Sequence, residues 1–125
     1  MLVKIGLMAA AGALGTLARA GVTSLVQRAA GLGFPWGTVT VNLLGCFLFG
    51  LAFALLEQRA AIFADARLVV LTGFMGAFTT FSTYAFDVSA LFTSGRTLAA
   101  LANVTLQNIA GVVVLMAGLA LGRAL

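Results

Sequence analysis

Charged residues divide this chain into long apolar blocks. Uncharged stretches cover residues 5–18, 29–56, 68–86 and 97–122. A membrane-crossing helix needs about 20 mostly apolar residues. The last three blocks meet that length alone or nearly so, and the first does if it continues through Arg19 to Val26. The pattern predicts four transmembrane helices near residues 3–26, 36–56, 68–94 and 98–121, and these form a single four-helix transmembrane domain over residues 1–125. The run from Gly31 to Gly37 reads as a turn, with Pro35 at the start of the second helix and Trp36 where interfacial aromatic rings collect.

Composition sharpens this reading. The 125 residues are 62% hydrophobic and 8% charged, and mean hydropathy is +1.17, which excludes a water-soluble globule. The fold class is therefore an all-α integral membrane protein. Histidine is absent, cysteine occurs once, and Glu57, Asp65 and Asp87 are the only acids. Histidine-based triads, Cys/His zinc sites and carboxylate clusters cannot be built from this inventory, so the chain is not read as an enzyme. The net charge of +4 comes from Lys4 and six scattered arginines, without the basic face that nucleic-acid binding requires. A cleaved signal peptide would also place Lys4 before an apolar run, but three further spans favour an N-terminal helix that is retained. With connections this short, no extramembrane domain is expected.

Orientation is nearly undecided by charge. Lys4, Arg59, Arg67 and Arg123 fall on one side and Arg28 and Arg96 on the other, a bias of four against two. Four short helices also enclose a pathway poorly, and an antiparallel, dual-topology homodimer satisfies both observations.

Polar groups inside the spans carry the functional signal, because unpaired groups are expensive in lipid. Asn42 lies about 9 Å into the second helix from Trp36, at a 1.5 Å rise per residue. It fits either a donor to an anion or an interhelical clamp. Arg19 fits either a charge at the mouth of an aqueous vestibule or a side chain that snorkels to the interface. Asp87 either faces a vestibule, pairs with an arginine or makes a helix-end contact. Cys46 reads as a small packing residue. Gly118 and Gly122 form a GxxxG pair that permits close helix approach, and Asn103, Gln107 and Asn108 add amides to the fourth helix.

The third helix is the most informative: from Thr72 to Asp87 it reads TGFMGAFTTFSTYAFD. Gly73, Gly76, Thr79 and Thr80 weaken it near mid-membrane, and a break there releases carbonyls that need a partner such as a cation. Were the helix continuous, Phe74, Phe78, Phe81 and Tyr84 would share one face, with Thr72, Thr79, Ser82 and Thr83 across from them. An aromatic packing stripe with threonines bonded back onto their own helix accounts for the same pattern.

The stretch from Gly76 to Tyr84, together with Gly37-Thr38, Val41-Asn42 and the segment from Gly12 to Arg19, resembles the Fluc (CrcB-like) family of fluoride channels. The resemblance covers the whole chain. It implies a broken third helix and a dual-topology homodimer in the cell (inner) membrane, with two fluoride pores and a sodium ion held between the subunits. By position, the backbone carbonyls of Gly76 and Thr79 would hold sodium. Asn42, Phe81 and Tyr84 would line the fluoride pore, with Ser82 and Thr83 in a polar track and Arg19 near the vestibule. Tyr84 departs from the family's usual phenylalanine, and Ala77 stands where a second glycine is common. A ring edge is electropositive, so it can receive a dehydrated anion, and tyrosine adds a hydroxyl donor. Such a channel releases fluoride that entered as neutral hydrogen fluoride and ionised inside. A negative interior drives each anion outward by about 2.3 kcal/mol per 100 mV, without a coupling site.

Two rivals remain. A small multidrug transporter has similar length and span number but needs a carboxylate in its first helix, where this chain has Arg19 and no acid. A noncatalytic membrane scaffold would use the same asparagines and glycines for packing alone.

Overall fold

A computed structural model describes residues 1–58 and 65–125. Arg59, counted above on the side of the second connection, lies outside the described residues. Four helical spans of membrane-crossing length and hydropathy are present: Leu2–Ala30, Trp36–Glu57, Asp65–Thr93 and Thr97–Ala124. We label the first two α1 and α2. The third comprises α3 (residues 65–78) and α4 (Phe81–Thr93), and the fourth is α5 (Thr97–Ala124).

The spans form for the reason their sequence suggests: in hydrocarbon every backbone group must find a partner within its own segment. Their ends follow local chemistry. Helix α1 continues past Val26 to Ala30 and stops at Gly31, which adopts a φ of 84° that side-chain-bearing residues avoid. Gln27 closes the following turn, since its Nε2 donates to the Phe34 carbonyl at 2.9 Å and its Oε1 accepts from Gly37 N–H at 3.1 Å. Pro35 and Trp36 then open α2, with Trp36 tilted against Phe34 at a ring separation of 4.8 Å. The hairpin between α4 and α5 turns on Gly95, at φ 74°.

Close packing depends on missing side chains. Helix α2 lies along the second half of α5, where a Cβ on Gly118 would overlap the Phe47 carbonyl and one on Gly50 the Leu115 carbonyl. A Cβ on Gly122 would stand 2.7 Å from that of Ala54. The GxxxG pair of the fourth helix therefore serves contact within the chain. Helix α1 packs against α3, where a Cβ on Gly15 would strike the Phe74 carbonyl. Lys4 and Asp65 form the only ion pair among the described residues, at 2.6 Å. Both side chains are largely solvent-exposed, so the pair contributes about 0–1 kcal/mol.

Two segments use wide, π-helical turns: Leu68–Met75 in α3 and Leu106–Ala110 in α5. Such turns shift side chains around the helix and recur at functional positions. The second lies where α5 presents Gln107 and Asn108 toward α2 and α4.

Candidate functional site

The third span is interrupted in its middle. Thr79 (φ −81°, ψ 160°) and Thr80 (φ −148°, ψ 110°) are extended, between helical Phe78 and Phe81. A continuous α-helix would return the Thr80 N–H to the carbonyl of Gly76. Here that N–H points to Asn42 Oδ1 at 2.8 Å. Asn42 Nδ2 in turn donates to the Thr80 carbonyl at 3.1 Å and to Gln107 Oε1 at 2.7 Å. One side chain of α2 thus replaces the helical bonds lost at Thr80. Both amide hydrogens of Asn42 are occupied by protein groups, the interhelical clamp of the two readings open at sequence level.

The break creates two helix ends of opposite polarity inside the span. At the end of α3, carbonyl oxygens face outward and attract cations. Arg19, half-buried on α1, places Nη1 3.5 Å from the Thr79 carbonyl. The first-helix arginine is therefore directed at the break. At the start of α4, the first N–H groups attract anions. The Thr80 hydroxyl caps this helix by accepting from Thr83 N–H at 3.2 Å, and it donates to Thr83 Oγ1 at 2.9 Å. Thr79 bonds back to the Met75 carbonyl at 3.1 Å, as mid-helix threonines often do.

A cavity of about 350 Å³ lies against the break, bordered by Asn42, Phe81, Tyr84, Gln107 and Asn108. Of the residues singled out from sequence, the fold gathers Asn42, Phe81 and Tyr84 here, together with the Thr79 and Cys46 side of the wall. Ser82 and Thr83 are exposed on α4 away from this lining, and Gly76 is also exposed outside it. Phe81 and Tyr84 meet as a tilted pair with ring centroids 5.5 Å apart. The single aromatic face expected of a continuous helix is divided by the break. Phe74 and buried Phe78 stack at 5.8 Å on one side, whereas Phe81 is 78% exposed on the other.

Sequence reasoning noticed the amides of α5 without connecting them. Gln107 Nε2 donates to Asn103 Oδ1 at 2.7 Å, and Asn108 Nδ2 donates to the Tyr84 hydroxyl at 2.9 Å. The four-residue spacing of Asn103 and Gln107 was the available signal, since it places both on one helix face. Asp87 borders a second cavity, of about 330 Å³, with Gln27 and Arg96. Among the described residues its buried Oδ2 has no partner and the carboxylate forms no ion pair with an arginine.

A family model described as CrcB-like protein, Camphor Resistance (CrcB), matches residues 6–119. The chain belongs to the CrcB-like family. Among CrcB-like relatives, it is 54% identical over 123 residues to a protein of Solidesulfovibrio magneticus, covering 98% of each chain. It is 48% identical over 120 residues to one of Nitrosococcus oceani, covering 96% of each, and 49% identical over 120 residues to one of Nitratidesulfovibrio vulgaris, covering 96% of this chain and 97% of the relative. Each of these relatives bears the name fluoride-specific ion channel FluC.

Proposed function

We infer that this protein is a fluoride-selective passive channel of the cell (inner) membrane that exports cytoplasmic fluoride and thereby confers fluoride resistance. It is a channel and not an enzyme. The observation that carries the reading is the mid-span break at Thr79 and Thr80, pinned by Asn42 beside a cavity walled by Phe81 and Tyr84. Near-full-length relatives named for fluoride conduction support the choice of ion.

The physics follows from the geometry. Fluoride holds its water strongly, so the path must offer replacement donors in close succession while avoiding a fixed charge that would trap the ion. The N-terminal end of α4 contributes partial positive charge, ring edges of Phe81 and Tyr84 contribute more, and the Tyr84 hydroxyl is a further donor. Asn42 forms the wall that keeps this end of α4 in place, and Ser82 and Thr83, on the exposed side of α4, form a polar track once a second copy covers them. The membrane potential supplies the driving force.

The working unit in this reading is an antiparallel homodimer. Support comes from Ser82, Thr83 and Phe81, all exposed on α4 beside the mid-span break. Hydroxyls at that depth are costly against lipid, and a second copy covers them. Sodium fits between the copies by donor type. The Gly76 carbonyl lacks its usual helical N–H, the Thr79 carbonyl carries one long contact from Arg19, and neutral carbonyl oxygens suit a hard cation. Bound there, the ion would offset the partial negative charge at the carbonyl ends of the two α3 helices.

The rival transporter reading needs an acid in α1, which has none. Fluoride efflux from liposomes containing the purified protein, followed with a fluoride electrode and a potassium ionophore, tests the proposal. Fast fluoride release with negligible chloride release is expected. Absence of fluoride release from folded protein overturns it, and drug-proton exchange is then measured.

A further inference from the structure

Three amides form a directional chain across two helices. Thr80 N–H can only donate, which fixes Asn42 Oδ1 toward it and Asn42 Nδ2 toward Gln107 Oε1. Gln107 must then turn Nε2 toward Asn103 Oδ1. Asn103 is fully buried, and its Nδ2 ends the chain without a partner among the described residues. Leaving a buried donor unpaired is unfavourable, so the orientation is set from the Thr80 end and tolerated at Asn103.

We propose that Gln107 is a positioning residue for the permeation path. It holds the Asn42 amide in the one orientation that grips both backbone groups of Thr80, with Asn103 anchoring Gln107 in turn. The inference rests on the channel reading for its functional consequence, but the positioning itself does not. It requires residue 107 to accept from Asn42. Glutamic acid does so when neutral, with its hydroxyl donating to Asn103 Oδ1, and when ionised, with Asn103 turning its Nδ2 to the carboxylate. Methionine fills similar space and does not accept. The Gln107→Glu substitution therefore keeps the grip on Asn42, and Gln107→Met loses it.

The test compares wild type, Gln107→Glu and Gln107→Met, each also with Asn42→Ala, in liposomes between about pH 5.5 and about pH 8, a window that brackets a desolvated carboxyl. Ionophore-dependent fluoride efflux is taken relative to wild type at each pH. Arg19 on α1, Cys46 on α2 and Tyr84 on α4 are the titratable groups around this junction among the described residues, and their contribution is common to numerator and denominator of that ratio. The expected result is Gln107→Glu within about threefold of wild type at the acid end, where its carboxyl is neutral, and Gln107→Met at least about tenfold slow throughout. Asn42→Ala removes the difference between the two, because coupled groups are non-additive.

Gln107→Met at the wild-type rate, or Gln107→Glu as slow as Gln107→Met at the acid end, overturns the proposal. Amide hydrogen exchange at Thr80 in the same samples reads positioning directly and is expected to accelerate at least about tenfold in Gln107→Met. If wild-type vesicles release no fluoride, the channel reading fails, and the Thr80 exchange rate alone decides the role of Gln107.

Discussion

The hydroxyl oxygen of Tyr84 accepts a hydrogen bond from Asn108 Nδ2 at 2.9 Å. This joins α4 to α5 across the cavity wall and orients the phenol while leaving its proton free to donate. Asn108 Nδ2 also reaches the Val104 carbonyl at 2.8 Å, so loss of the hydroxyl does not strand the amide. Tyr84→Phe keeps the ring edge and gives up one neutral hydrogen bond, worth about 0.5–1.5 kcal/mol. Fluoride efflux is expected to fall by about two- to tenfold. Tyr84→Ala removes the edge as well and is expected to lose more, and an alanine variant as fast as the phenylalanine variant removes the ring from the path.

Asn42→Asp keeps an acceptor for the Thr80 N–H but turns a negative carboxylate toward the Thr80 carbonyl and Gln107 Oε1. Two donated bonds become repulsive contacts, and a fixed negative charge stands beside the proposed anion path. A drop of at least about a hundredfold in fluoride efflux is expected, corresponding to about 2.7 kcal/mol in barrier height. Undiminished flux removes Asn42 from the pore.

Glycine substitutions separate packing from propensity. Gly118→Leu forces α5 away from α2 at the Phe47 carbonyl, and loss of monodisperse protein in size-exclusion chromatography is expected. Gly21→Ala, with nothing within 4 Å of the added methyl, is expected to raise thermal stability by about 0.5–1 kcal/mol through helix propensity.

Replacing sodium with an organic cation too large for a carbonyl site tests the proposed ion between the subunits. Lower fluoride efflux and weaker subunit association are expected, both restored when sodium returns. Equal efflux in the two media argues against sodium at Gly76 and Thr79.

Much of this architecture was legible in the chain. Charges at Glu57, Asp65, Arg67 and Arg96 and the turn glycines at 31 and 95 mark where apolar runs must end, because lipid enforces segment length and internal hydrogen bonding. The weakness at Gly76, Thr79 and Thr80 was legible for the same reason, since glycine and paired threonines are poor helix formers. The Phe74 to Tyr84 stripe was misleading, because one extended pair of residues resets the rotation of everything after it.

By itself, the sequence determined the membrane class, the number of spans, the lack of catalytic chemistry and the residues able to interact inside the bilayer. Tertiary structure decided which of them meet. Asn42 grips Thr80, Gln107 takes the remaining amide hydrogen, Arg19 turns to the Thr79 carbonyl, and Asn108 reaches Tyr84. Spacing along one helix predicts neighbours on that helix, whereas these contacts span 24 to 65 residues. They depend on how closely glycine faces let the helices approach and on wide turns that rotate α3 and α5.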